Sequence, residues 1–193
     1  MLIGNAGAEM WRTFARAVPP DARAAATHPL DDWIRGAVEA IAVSVGARAI
    51  YPGDGPPFAP FQRWAMRAEP VWPSPLGILI HPVFGLWHAY RAALAIPDVL
   101  PLPPPSSSGH PCEACVDTPC ITACPAAALG GQAYDVPRCV AHVRSDAGRP
   151  CREDGCIARR ACPVGRRYRY PADELAHHMR SFLRNCPPGP KPG

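Results

Sequence analysis

Apolar residues recur at helical spacing in several stretches of the first half of the chain. Between Gly7 and Val18 they are Trp11, Phe14, Ala15 and Val18. Leu30, Trp33, Ile34, Ala37, Val38, Ile41 and Val45 form a longer stripe. Pro29 suits the first turn of that helix and Gly46 its stop. Phe61 to Glu69 fits a further, shorter helix. Strand patterning marks Ala47–Tyr51, which ends at the turn residues Pro52-Gly53-Asp54-Gly55. It also marks Gly77–Ile80 and Leu86–Ile96, on either side of the turn His81-Pro82-Val83-Phe84-Gly85, although the second of these also holds good helix formers. In the second half one stripe stands out: Leu175, Met179 and Phe182 within Ala172–Leu183, a closing helix with His177 and His178 at the surface. This mixture predicts an α+β fold.

Composition divides the chain. A length of 193 residues allows one domain or two small ones. Trp11, Trp33, Trp64, Trp72 and Trp87 are all the tryptophans, and every one of the nine cysteines follows them. The first 110 residues carry 8 basic and 8 acidic side chains and the remainder 12 and 8, so the net charge of +4 belongs to the cysteine-rich part. Ile96–Pro111, rich in proline and serine, reads as an extended connector. The expected organisation is an α+β domain over residues 1–105, a cysteine-rich domain over 106–185 and a disordered tail over 186–193.

Charge this mild does not point to nucleic acid, and only Tyr168 and Tyr170 accompany the arginines as stacking groups. The opening MLIGNAGAEMW has no secretory character, and no apolar run reaches the roughly 18 residues of a membrane span. The expected location is therefore cytoplasmic, away from membranes. Thiols stay reduced there, so nine cysteines point to metal before disulfides.

The cysteines carry the clearest chemistry. CEACVDTPCITACP places Cys112, Cys115, Cys120 and Cys124 before Pro125. CVAHVRSDAGRPCREDGCIARRACP places Cys139, Cys151, Cys156 and Cys162 before Pro163. Two blocks of four, each ending in Cys-Pro, have the form of a ferredoxin with two [4Fe–4S] clusters. Three thiolates come from one loop, and the one before proline is sent to the neighbouring cluster. The first cluster then takes Cys112, Cys115, Cys120 and Cys162, and the second takes Cys124, Cys139, Cys151 and Cys156. The spacings are looser than the bacterial pattern, which leaves the placing of Cys139 and Cys151 open. A single cluster with idle cysteines and a structural zinc site are the rival readings, the latter with only one C-x2-C knuckle. Cys186 is left over. Seven arginines, Arg149, Arg152, Arg159, Arg160, Arg166, Arg167 and Arg169, could offset anionic clusters or dock an acidic redox partner.

A resemblance extends this reading. The stretch SPLGILIHPVFGLWHAYRAALAIPDVLPLP, beginning at Ser74, resembles the vitamin B12-processing proteins that decyanate and dealkylate cobalamin, and the matching stretch of epoxyqueuosine reductases. LIGNAGAEMW and HPLDDWIRGAV stand where those families have an opening strand and two helices. The hairpin at Tyr134 to Cys139 is similar to the one that leads into the second cysteine block of epoxyqueuosine reductases. The resemblance implies a small nitroreductase-like α+β domain, able to hold cobalamin or flavin, followed by a ferredoxin-like domain with two clusters. It also implies that Arg91 stands near a thiol substrate and that Asp54 occupies the loop of a proton-donating carboxylate. With His81 of the His-Pro turn they form the candidate catalytic set. Read by themselves, these are a strand arginine, an Asp-Gly turn and a locally satisfied histidine. Two functions follow: an electron relay through two clusters, or a corrinoid- or flavin-dependent reductase whose clusters feed its cofactor.

Overall fold

The computed structural model describes residues 1–102, 104, 108–131 and 133–186. The expected tail beyond Cys186 and part of the connector lie outside the described residues. In chain order the elements are β1 (Leu2–Ala6), α1 (Glu9–Ala17), α2 (Pro20–Ala25), α3 (Pro29–Ser44), β2 (Arg48–Ile50), α4 (Phe61–Ala68), β3 (Trp72–Pro73), β4 (Leu79–Ile80) and β5 (His88–Ala95). Then follow α5 (Pro119–Thr122), α6 (Val136–Arg144), α7 (Arg149–Glu153), α8 (Ile157–Ala161) and α9 (Ala172–Asn185). The mixture is α+β. Among the described residues no helix is long and apolar enough to cross a membrane.

The chain folds into two compact units, each assembled from two pieces. One holds Met1–Pro70 and His88–Ser108, the other Val71–Trp87 and Gly109–Gly193. The later crossing lies close to the boundary expected at 105, but Val71–Trp87 joins the cysteine-rich unit.

In the first unit β5 runs between β1 and β2, antiparallel to both. Leu30, Ile34, Val38 and Ala42 of α3 repeat every fourth residue and are buried, together with Trp11 and Phe14 of α1 and with Ala92 and Leu94 of β5. Pro29 opens α3, where its missing N–H costs no helical bond, and Asp31 and Asp32 complement the helix dipole. Gly46, at φ +62°, follows the helix end. Ile41 and Val45, expected on the apolar stripe, are 47% and 48% exposed. The buried row runs on through Ala42, and the last turn leaves the core. α2 buries nothing, so it has no stripe to read.

In the second unit the strands flanking the His81–Gly85 turn do not pair with each other. β4 pairs with β3, whereas β5 belongs to the first unit's sheet. The turn closes on itself instead. Its two ends exchange backbone bonds of 2.9 and 2.8 Å, and His81 Nδ1 accepts from the N–H groups of Val83 and Phe84 at 3.0 and 3.2 Å. The turn then meets the residues after Cys162-Pro163. Gly85 and Gly165 have φ of +59° and +69°, and a Cβ would stand 2.1 Å from Val164 O on the first and 2.3 Å from the Phe84 carbonyl on the second. In α9, Leu175 is buried and Met179 and Phe182 are half-buried. His177 and His178, expected at the surface, are half-buried because α9 also buries Glu174 completely, with His178 Nε2 3.6 Å from its carboxylate.

Gly165→Ala should lower stability by about 2 kcal/mol or more, combining left-handed strain with a backbone clash. Gly36→Ala, inside α3 with nothing within 4 Å of its Cβ position, should raise it by about 0.5–1 kcal/mol. Urea midpoints of the two variants check both signs.

Candidate metal centres

Short turns and one-turn helices present the cysteines. Cys112 and Cys115 sit on a turn in which the Cys112 N–H donates to His110 Nδ1 at 3.1 Å and the Cys115 N–H to the Cys112 carbonyl at 3.2 Å. The His110 ring stacks on Trp72 with centroids 5.5 Å apart. Cys120 lies in α5, entered through Thr118 at φ +39°. Cys124 follows that helix. Cys139 is on α6, which Asp135 caps by accepting from the Arg138 N–H at 2.9 Å. Cys151 is buried in α7. Cys156 and Cys162 stand at opposite ends of α8.

Electrostatic neighbours sort these thiols. Burial pushes Cys112 up to about 11, and Cys162, Cys120 and Cys115 add to the shift. Cys120 is raised first by burial and then by Cys162 and Cys115, while the N–H groups of Cys120 and Ile121 pull the other way. Burial also raises Cys162, with Cys115 adding, and the Val164 N–H, Arg166 and Arg169 oppose it. Around the second group, burial pushes Cys156 up to about 11, the Arg159 N–H opposes, and Cys151, Cys139 and Cys124 add. Cys139 is raised by burial and by Cys124, Cys151 and Cys186, against a hydrogen bond from Tyr134. Thus Cys112, Cys115, Cys120 and Cys162 are electrostatic neighbours of one another, and Cys124, Cys139, Cys151 and Cys156 form a second such set. Each Cys-Pro cysteine lies among the thiols of the other sequence block.

All nine thiols are free. Among the described residues no three His, Cys, Asp or Glu side chains converge to hold a single metal ion. A four-iron cage places iron and sulfide between its ligands, so its donor set is four thiols around a larger volume with N–H groups turned toward sulfur. Each set supplies four thiols and at least one such N–H group.

Three features have weak or no signal in the sequence. Burial, with Cys139 as its nearest electrostatic neighbour, raises the Tyr134 phenol far above the ordinary range. Arg159 is wedged between Trp87 and Tyr170, with its guanidinium 4.7 and 4.9 Å from their ring centres. Desolvation lowers its pKa, while Tyr170, Cys156 and Glu174 hold it up. Cys186 at the end of α9 neighbours Cys139, so the leftover thiol is near the second set. Tyr134 stands in the loop before α6; the hairpin expected from Tyr134 to Cys139 is instead a loop and the first turn of that helix, which Pro137 and the Asp135 cap favour. Nothing in the sequence distinguishes Arg159 from its six companions.

Of the candidate catalytic residues, Asp54 and Arg91 belong to the first unit and His81 to the second. Asp54 is an exposed partner of Arg35, at 2.5 Å, and the Arg35 guanidinium lies 3.8 Å from the Tyr51 ring centre. Arg91 Nε donates to Asn5 Oδ1 at 2.9 Å. Arg35, Tyr51, Tyr90 and Arg91 line a cavity of about 220 Å³. His81 Nδ1 is engaged by its own turn. No family model, curated protein or solved structure matches the chain.

The cavity wall makes a prediction about pH. Burial, with a hydrogen bond to Glu39, pushes Tyr51 up to about 12. The native phenol therefore keeps its proton where an unfolded one, near pH 10, releases it. Its stabilisation is complete below pH 10 and is lost as pH rises toward 12. Tyr51→Phe should lose less stability than the wild type between pH 9 and pH 11, measured by urea unfolding.

Proposed function

We propose that the chain is a one-electron carrier with two [4Fe–4S] clusters, the first on Cys112, Cys115, Cys120 and Cys162 and the second on Cys124, Cys139, Cys151 and Cys156. The observation that carries this reading is that eight thiols sort into two sets of four electrostatic neighbours, with the Cys-Pro cysteines exchanged between blocks. When bound, each cluster takes up or gives one electron without making or breaking a bond to a substrate. The residues of the chain would hold the sulfurs and turn N–H groups toward them. Four thiolates leave about −2 on each oxidised cluster, so two contribute about −4, close to the formal +4 of the cysteine-rich half.

Arg166, Arg167 and Arg169 are exposed, and Arg166 and Arg169 act electrostatically on Cys162. They support docking of an acidic redox partner at the first cluster. A corrinoid- or flavin-dependent reductase is the second reading. It rests on the family resemblance, and the cavity of about 220 Å³ in the first unit is below the roughly 300–1,000 Å³ usual for small-molecule sites.

Anaerobically reconstituted protein should contain about eight iron and about eight sulfide per chain. Cys112→Ser and Cys156→Ser should each lose up to half of the iron, whereas Cys186→Ser should keep it all. Zinc without sulfide would refute the relay. Changing Arg166, Arg167 and Arg169 together to Glu should slow electron exchange with an acidic ferredoxin- or flavodoxin-type partner at least tenfold at low salt, measured by stopped flow. The difference should shrink as salt rises.

A further inference from the structure

A break in the sheet of the first unit shapes the wall of its cavity. Along β1 and β5, Ile3 pairs with Ala92 but Gly4 pairs with Tyr90, so Arg91 is an extra residue with no partner on β1. On the other side β2 pairs only as far as Ala93, and the chain then leaves β5 through Tyr51, Pro52 and Gly53, which border the cavity together with Arg91. A bulge of this kind bends the strand and re-aims a side chain. Successive strand residues normally point to opposite faces, yet Tyr90 and Arg91 both line the cavity. Gly4 permits the close pairing, because a Cβ there would stand 2.6 Å from the Ala89 carbonyl oxygen.

The bulge leaves donors in need of an acceptor. Arg91 Nε donates to Asn5 Oδ1 at 2.9 Å, which orients the Asn5 amide with Nδ2 as its free donor. Arg91 Nη2 and Asn5 Nδ2 are both buried, and neither has a hydrogen-bond partner among the described residues. Buried donors are almost always paired, so two orphans on neighbouring groups mark a place for an acceptor. Arg91 itself lines the cavity, and a turn of its flexible side chain presents Nη2 to an entering anion beside the Asn5 amide. Other polar groups of the wall are engaged: Arg35 with Asp54, and the Tyr51 hydroxyl with Glu39 Oε1 at 3.0 Å. Asp31, exposed on the same wall, disfavours a second negative charge. Ile34, Pro52 and the Tyr51 ring supply apolar surface, and the volume equals roughly seven waters at about 30 Å³ each. We propose that this cavity binds a short organic monocarboxylate, its carboxylate held by Arg91 and Asn5 and its apolar body set against Ile34, Tyr51 and Pro52. The site uses no cysteine and is independent of the relay.

The test is calorimetric titration of the reconstituted full chain with benzoate, and with benzamide and inorganic phosphate for comparison. Benzoate should bind once per chain, and both comparison compounds should bind more weakly by about tenfold or more. Arg91→Gln should weaken benzoate binding by a similar factor. Asn5→Asp places an internal carboxylate beside Arg91, so it should remove benzoate binding while raising the urea midpoint. A misfolded variant would lose both, which keeps the two effects distinct. The triple change of Arg166, Arg167 and Arg169 to Glu should leave benzoate binding as it is. Absence of benzoate binding to the wild type, or equal binding to Arg91→Gln, overturns the inference. Benzamide or phosphate binding as tightly as benzoate overturns the monocarboxylate assignment, and loss of binding in the triple variant overturns the location. Full iron and sulfide with no benzoate binding overturns this inference alone and leaves the relay standing.

Discussion

The turn from His81 to Gly85 and the residues after Cys162 touch backbone to backbone, and the cysteine-rich unit is organised around that contact. Neither Gly85 nor Gly165 has room for a Cβ, and both have left-handed φ. The contact holds Cys162 against Ile80, Leu86 and Cys112 in one apolar cluster. Cys162 also follows the last residue of α8, a one-turn helix whose other flank is Cys156. Placing one therefore constrains the other, and a single backbone contact just beyond Cys162 bears on a corner of each thiol set.

The second constraint is electrostatic. Eight sulfurs in a unit of this size would repel one another as thiolates, and burial makes the repulsion harder to tolerate. Two kinds of donor oppose it. Very short helices leave most of their N–H groups without a helical carbonyl partner, so α5 and α8 have N–H groups free to face sulfur. The other kind is the arginine side chain, whose weak hydration makes partial enclosure less costly than it would be for lysine. Arg159, between two rings, uses both properties.

Much of this was legible in the residues themselves. α1 and α3 follow from Trp11, Phe14, Leu30, Ile34 and Val38, because a helix against a sheet needs one apolar face. β5 follows from its flanking turn residues. What escaped did so for physical reasons. Helices α5, α7 and α8 have four or five residues, too few for a periodicity. The separation of β4 from β5 depends on a turn that bonds to itself, which the alternation of side chains does not record. The enclosure of Arg159 needs Trp87 and Tyr170, 72 and 11 residues away, so no local window contains it.

The interleaving of the two units bears on how the protein is made. As the chain leaves the ribosome, residues 71–87 emerge before the segment with which they pack, Gly109 onward. Until that segment follows, Ile80, Leu86 and Trp87, each at most 2% exposed in the finished fold, have no native cover. The first unit has all its pieces by Ser108 and can close earlier, while the cysteine-bearing unit waits for the last part of the chain. Synthesis order thus leaves an interval in which half a core and the first thiols are open together.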